Sequence, residues 1–106
     1  MFRIAAASIA IAAALTGPAF AGCHLDDCVE NVPINAHQLK GKSCEDLWVL
    51  RNSIYKDAKY CFATPRAMKR FGNEGCQFEQ VGDVPLGDTQ RHNVGVIRSV
   101  EKKDGC

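Results

Sequence analysis

The stretch CEDLWVLRNSIYKDAKYCFATPRAMKRFGNEGC, residues 44–76, decides the fold of this 106-residue chain. It contains three of the six cysteines, the only tryptophan, both tyrosines and the two clearest helix signals. We therefore expect the core of the protein to form around it.

The first helix is predicted to begin at Ser43, its N-cap, with Asp46 three residues on in a capping-box arrangement. A guanidinium without partners is costly to bury, and Arg51 lies in the middle of the inner face. We expect Arg51 to reach a carboxylate or helix-end carbonyls while lying against Trp48 or Tyr55. This packing role is favoured over ligand binding. The predicted inner face comprises Cys44, Leu47, Trp48, Arg51, Ile54, Tyr55 and Ala58.

Two further helices are predicted, and no segment has the pattern of a strand. The second is short, with Thr64 as N-cap, Pro65 as first residue and Gly72 as a positive-φ stop. The third is capped by Gly87 or Asp88 and runs to about residue 103. Its inner side is predicted to carry Leu86 at the entry, followed by Val96, Ile97 and Val100.

Residues 1–21 have the pattern of a secretory signal peptide. A short basic start containing Arg3 precedes an apolar run that Gly17 and Pro18 interrupt, and cleavage is expected after Ala21. A transmembrane anchor would need about 18 to 20 continuous apolar residues, so this run is too short. Residues 20–23, Phe-Ala-Gly-Cys, also resemble a bacterial lipoprotein box, and lipid attachment at Cys23 stays open as an alternative.

Removal of the signal peptide leaves the 85 residues 22–106, which form one domain at most. These residues carry 12 Lys and Arg, because Arg3 is lost from the total of 13, against 12 Asp and Glu. Nucleic-acid binders are usually markedly basic, so this charge balance argues against that class. We expect a periplasmic or secreted protein with no nucleic-acid partner and no membrane span.

All six cysteines lie in residues 22–106, and a disulfide framework is their expected role in a secreted chain. Each bridge typically adds about 2 to 4 kcal/mol to the stability of a small domain. Six cysteines allow many pairings, and the sequence does not choose among them. The pairs we favour are Cys61 with Cys76, Cys44 with Cys106, and Cys23 with Cys28.

Residues 22–43 show no helical or strand periodicity and are predicted to form an irregular N-terminal arm. The arm contains Cys23, His24, Cys28 and His37, for which a zinc site is the alternative. Their spacing fits no common zinc pattern, so we expect no metal and no cofactor. The predicted fold class is mainly α: a small disulfide-stapled three-helix domain over residues 44–106, preceded by the arm.

Several short motifs resemble the YARHG domain, a small extracytoplasmic bacterial module named for its signature pentapeptide, and are closest to its stand-alone alphaproteobacterial type. Residues 55–59 read Tyr-Lys-Asp-Ala-Lys, so only the tyrosine of the signature remains. Lys59 must then adopt the backbone geometry that the signature's Gly usually provides. The resemblance implies a fold and an exported location, without an activity. It extends from about residue 44 to residue 98 and rests on CxxLW at 44–48, Arg51-Asn52, Ile54-Tyr55, YCF-x-T at 60–64, FGNxGC at 71–76 and VPL at 84–86.

No enzyme signature is present, since C-x-x-C, G-x-S-x-G, H-E-x-x-H and a phosphate-binding glycine loop are all missing from the sequence. His92 is expected to be a surface residue rather than a base, and we expect no enzymatic activity. One candidate function is a cell-envelope module that binds a peptidoglycan fragment, a polysaccharide or a periplasmic protein. The other is a secreted inhibitor or effector of an envelope hydrolase that presents the loop 72–75. The candidate ligand-binding residues are Arg51, Tyr55, Tyr60, Arg66 and Arg70.

Overall fold

Four helices form the framework of residues 25–106, the range that the computed structural model describes. They are α1 (Leu25–Cys28), α2 (Cys44–Asp57), α3 (Pro65–Phe71) and α4 (Asp88–Lys103), with 3-10 turns at Ala36–Leu39 and Val81–Asp83. No strand forms in this range, although Tyr60 and Phe78 make an isolated parallel bridge. The mainly α fold class is confirmed. The predicted signal peptide, Cys23 and His24 lie outside the described residues.

The boundaries of α2 follow from its own sequence. The hydroxyl of Ser43 accepts a hydrogen bond from the backbone N–H of Asp46 at 3.0 Å, and the Asp46 carboxylate accepts one from the Ser43 N–H at 3.3 Å. The predicted capping box is therefore confirmed. Beyond the C-terminal end of α2, Lys59 has φ of 73°, and in residues 25–106 it is the only residue besides glycine with a positive φ. Lys59 thus takes the glycine-like geometry expected of it.

The signals for α3 and α4 are confirmed in the same way. The Thr64 hydroxyl accepts from the Ala67 N–H at 3.2 Å, Pro65 is the first residue of α3, and Gly72 follows it with φ of 73°. Gly87 is the N-cap of α4. Of the predicted inner residues of α4, Ile97 is fully buried, while Leu86, Val96 and Val100 are partly buried against the core.

The core is centred on the packing of α2 against α4. The two helices run antiparallel, because Cys44 at the start of α2 bonds to Cys106 beyond the end of α4, and Arg51 pairs with Glu101 one to two turns further in. Leu50 is buried although it was not on the predicted inner face. It belongs to the same buried cluster as residues of the N-terminal segment.

Residues 25–43 are more ordered than the predicted irregular arm. Val29, Ile34 and Leu39 are buried in the core. Asn93 of α4 is fully buried; its side-chain oxygen accepts from the Ile34 N–H at 2.9 Å, and its amide nitrogen donates to the carbonyls of Val29 and Val32 at 2.7 and 2.8 Å. The segment is therefore held by α4 through both apolar and polar contacts, which its aperiodic sequence did not indicate.

Two disulfides are described, and both are pairs favoured from the sequence. Cys44 bonds to Cys106 with the Cα atoms 5.6 Å apart, and Cys61 bonds to Cys76 with the Cα atoms 5.0 Å apart. The second bridge closes a loop that contains the whole of α3. The pair proposed for Cys28 includes Cys23, which lies outside the described residues.

Candidate functional site

Five aromatic side chains form a continuous row of ring contacts across α2, α3 and the linker between them. Ring centroids are 5.7 Å apart for Trp48 and Phe71, 5.0 Å for Phe71 and Phe62, 5.1 Å for Phe62 and Tyr60, and 5.8 Å for Tyr60 and Tyr55. These separations lie within the favourable range for aromatic pairs. We call this set the aromatic row. Its rings hold one another in fixed positions.

A groove of about 160 Å³ opens beside the aromatic row. We call it the aromatic groove. Polar and apolar groups converge on it from α2, α3 and the linker, an arrangement typical of ligand sites. Its lining residues are Trp48, Arg51, Asn52, Tyr60, Phe62, Ala63, Thr64 and Ala67.

Arg51 lines the groove and forms a two-pronged ion pair with Glu101 of α4. Its Nε donates to Oε1 at 2.7 Å and its Nη2 donates to Oε2 at 3.1 Å, with the two side chains 21% and 14% exposed. The expected carboxylate partner is thereby confirmed. The guanidinium that lies over the Trp48 ring belongs to Arg66 and not to Arg51. Nη1 of Arg51 has no hydrogen-bond partner among residues 25–106.

Asn52 is a groove residue that the sequence analysis did not single out. Its side chain is 9% exposed, and its Nδ2 donates to the Trp48 carbonyl, one helical turn earlier, at 2.9 Å. Its Oδ1 accepts from no group in the described part of the chain, and Asn52 is one of the residues that line the groove. The available signal was an amide directly after Arg51 that lies three or four positions from Trp48, Val49 and Tyr55 and so faces largely apolar neighbours on the helix.

The other predicted ligand residues divide by position. Tyr60 is partly exposed and lines the groove, whereas Tyr55 is 7% exposed and supports Tyr60 from behind. Arg66 lies at the rim, with its guanidinium carbon 3.7 Å from the Trp48 ring centroid, and it pairs with Glu45. Arg70 lines a different cleft of about 420 Å³. The groove thus unites Arg51 and Tyr60, with Arg66 at its edge.

The cleft that contains Arg70 has mixed charge. It lies between α1 and α2 and is also lined by Asp26, Asp27, Lys42 and Asp46. The residues described in the structure include no group of three or more His, Cys, Asp or Glu that could hold a metal ion. We therefore find no metal centre in this cleft, and two members of the zinc set considered from the sequence lie outside the described range.

One carboxyl group near α1 is held in an unfavourable environment. Burial raises the pKa of Glu30 above its ordinary value of 4.5, the charges of Asp57 and Asp27 act in the same direction, and a backbone hydrogen bond opposes them. The Oε2 atom of Glu30 is buried and has no hydrogen-bond partner within residues 25–106. Glu30 does not line the aromatic groove.

A family model described as the YARHG domain matches residues 28–102. The match includes all residues that line the aromatic groove and most of the N-terminal segment that packs on α4. No curated protein and no solved structure matches the chain. Among the described helices, none is both long enough and apolar enough to cross a membrane.

Proposed function

Because this chain belongs to the YARHG domain family, we propose that it is a binding module of the bacterial cell envelope, without catalytic activity, whose ligand is a neutral glycan held in the aromatic groove. The two described disulfides support an extracellular or periplasmic location, since such bonds persist in oxidising compartments. The expected signal peptide fits the same location.

The observation that carries this proposal is the convergence of aromatic and polar groups on one groove. Trp48, Tyr60 and Phe62 supply ring surface, and Arg51 and Asn52 supply polar atoms beside it. Aromatic residues combine a large apolar surface with few rotatable bonds, and a few placed polar groups fix a ligand's orientation. A sugar ring offers both apolar C–H faces and hydroxyl groups, so it matches such a lining.

The charge of the groove favours a neutral ligand over an anion. Glu101 neutralises Arg51 through both carboxylate oxygens, and at the rim Arg66 forms an exposed ion pair with one carboxylate oxygen of Glu45. An anionic group would have to compete with Glu101 for a partly buried guanidinium, and the displaced carboxylate would lose its partner. A ligand that uses hydrogen bonds alone avoids this cost.

The chemistry of the lining supports a role without catalysis. Of the residue types that act as acid, base or nucleophile in enzymes, the groove is lined only by Tyr60 and Thr64, and by no Asp, Glu, His, Cys or Lys. The carboxylate of Glu101, which contacts the groove residue Arg51, is held in that ion pair.

The proposal is tested by retention on purified peptidoglycan sacculi and by titration with soluble glycan fragments. We expect the protein to be retained, and Tyr60→Ala to weaken binding about tenfold, as is usual for a central aromatic contact. Arg70→Ala is the matched control, because Arg70 lies in the other cleft. Unfolding curves for both variants verify that they are folded. Equal retention of the wild type and Tyr60→Ala would contradict the proposal.

A second candidate function, inhibition of an envelope hydrolase, is favoured by the rigidity of the loop 72–75. The side chain of Asn73 accepts from the Phe62 N–H at 2.7 Å and donates to the Phe62 carbonyl at 3.0 Å, and the Cys61–Cys76 disulfide adjoins the loop. Glu74 and Gly75 remain exposed. A screen against lysozyme-type enzymes, with Asn73→Ala as the loosened variant, tests this function separately. Inhibition that is unchanged in that variant would exclude the loop.

A further inference from the structure

The aromatic groove contains unused donors and an unused acceptor on consecutive residues. The donors are on Arg51, because Glu101 takes only two of the five guanidinium N–H groups and leaves both on Nη1 and one on Nη2. The acceptor is Oδ1 of Asn52. The assignment of the Asn52 amide is fixed by chemistry, since its other atom faces the Trp48 carbonyl, which can only accept a hydrogen bond. The two residues therefore offer donors on Arg51 and an acceptor on Asn52, so they can both give and receive hydrogen bonds.

From this pairing we propose that the ligand group recognised in the groove is the acetamido group of an N-acetylated amino sugar. The carbonyl of that group accepts from Arg51, and its N–H donates to Asn52. A secondary amide has one acceptor and one donor two bonds apart, so it can pair with a donor of Arg51 and with the acceptor of Asn52 at the same time. The inference rests on the proposed glycan-binding function and specifies the ligand's chemistry.

The apolar part of the lining accounts for the remaining atoms of the acetamido group. Phe62 and Ala67 line the groove and are 4% and 5% exposed, and Ala63 lies beside them. The acetyl methyl packs against these residues, while the sugar ring lies towards Tyr60 and Trp48. A sugar with a hydroxyl at the same position leaves Oδ1 of Asn52 or Nη1 of Arg51 without a partner. It also leaves the apolar residues of the groove without a methyl group packed against them.

A comparison of two oligosaccharides isolates the acetamido group. Chitotetraose and cellotetraose share the same β-1,4-linked backbone and differ only in carrying N-acetyl or hydroxyl at the second carbon. We expect chitotetraose to bind about tenfold more tightly, which corresponds to the net contribution of about one to two hydrogen bonds. Titration followed by amide NMR should place the largest shifts at the Asn52 side chain and the Trp48 indole.

Two variants on α2 test the assignment of the acceptor. Asn52→Ala removes Oδ1 and is expected to reduce the preference for chitotetraose to about threefold or less, as the loss of one hydrogen bond implies. Ser53→Ala is the matched control. It removes an equivalent bond from a side chain to the carbonyl one turn earlier, that of the Ser53 hydroxyl to Val49 at 2.7 Å, but Ser53 lines the other cleft. Its preference should equal that of the wild type.

The outcomes separate this inference from the function on which it rests. Equal affinity for both sugars, with shifts at the groove, overturns the acetamido inference and leaves glycan binding in place. Binding of neither sugar at about 10 mM, together with no retention on sacculi, overturns both. If N-acetylalanine methylamide binds as tightly as chitotetraose, the groove recognises peptide amides and the assignment to amino sugars is overturned. The wild-type comparison stands even if Asn52→Ala does not fold.

Discussion

Two side chains in this protein join segments that are distant in sequence through polar contacts. Asn93 joins α4 to the N-terminal segment, and Arg51 joins α2 to Glu101. Both contacts are partly or fully shielded from water. A lost partner therefore leaves a group that is desolvated and unpaired, which is costlier than losing the same contact at the surface.

Asn93→Ala is expected to lower the free energy of unfolding by about 3 kcal/mol, because one buried N–H and two carbonyls lose their partner. Denaturant unfolding measures the change. His92→Ala is the control on the neighbouring position. His92 is exposed, as expected, and its Nε2 lies 2.9 Å from the Ile34 carbonyl, so its loss should cost about 1 kcal/mol or less. Equal losses would contradict the role assigned to Asn93.

Arg51→Ala is expected to cost about 2 kcal/mol, since Glu101 is only 14% exposed and loses both of its hydrogen bonds. A double-mutant cycle with Glu101→Gln measures the coupling of the pair. The Arg66 and Glu45 pair is the exposed comparison, with side chains 56% and 62% exposed, and its coupling should be about 0.5 kcal/mol or less. A coupling near zero for Arg51 and Glu101 would show that the pair does not stabilise the fold.

Glu30→Gln is expected to stabilise the protein at pH 7 and to have a diminishing effect as the pH falls. The pKa of Glu30 is raised in the folded state, so the folded protein prefers the protonated carboxyl. The stability that comes from the raised pKa of Glu30 is fully present at pH values below its unfolded pKa of about 4.5. It is lost as the pH rises through the pKa of Glu30 in the folded state. Melting temperatures of the wild type and variant between pH 4 and 7 measure the effect. A difference in melting temperature between the two proteins that does not change with pH would contradict this expectation.

At the scale of elements, α2, α3 and α4 are each bounded by signals within a few residues of their ends. The turn after α2 is the exception, since Lys59 has a positive φ that side chains other than glycine rarely adopt. This turn directs the chain to Tyr60, whose N–H donates to the Tyr55 carbonyl at 3.0 Å. The strained turn therefore sets the position of a residue that lines the groove.

Lys59→Gly is expected to raise the free energy of unfolding by roughly 0.5 to 1 kcal/mol, because glycine adopts a positive φ without steric cost. Thermal unfolding measures the gain. Lys69→Gly makes the same substitution at an exposed position within α3 and should instead cost about 1 kcal/mol. Destabilisation by both changes would show that the backbone at Lys59 is not strained.

At the scale of the whole molecule, α4 is the element to which the other segments are tied. Its C-terminal end is joined to the start of α2 by a disulfide, its last turns pair with Arg51, and Asn93 near its start holds the N-terminal segment. A small domain buries a limited apolar core, so such ties contribute a large share of its stability. The groove, in contrast, is built mainly by α2, α3 and the linker between them.

Removal of the Cys44–Cys106 disulfide by paired Cys→Ser changes is expected to cost about 4 kcal/mol, against about 3 kcal/mol for Cys61–Cys76. The difference follows from the loops that the bridges close in the unfolded chain, with sequence separations of 62 and 15 residues. Denaturant unfolding of the two double variants measures both costs. A greater loss from removing Cys61–Cys76 would mean that loop length does not determine the order.

The sequence by itself determined α2, α3 and α4, though not α1, because the limits of those three helices depend on groups only three or four residues apart. Ser43 with Asp46, Thr64 with Ala67, and the stop at Gly72 are contacts of this kind. It also indicated that the cysteines form disulfides, without fixing which ones pair, and that Arg51 needs a carboxylate. These follow from composition and from the cost of burying charge.

Only the tertiary structure decided which distant groups meet. Glu101 lies 50 residues from Arg51, and Asn93 lies 59 residues from Ile34, so no local pattern indicates either contact. For the same reason the N-terminal segment read as an irregular arm although it fills part of the core. The aromatic groove with its free atoms on Arg51 and Asn52 is also tertiary, since it exists only where α2, α3 and the linker pack together.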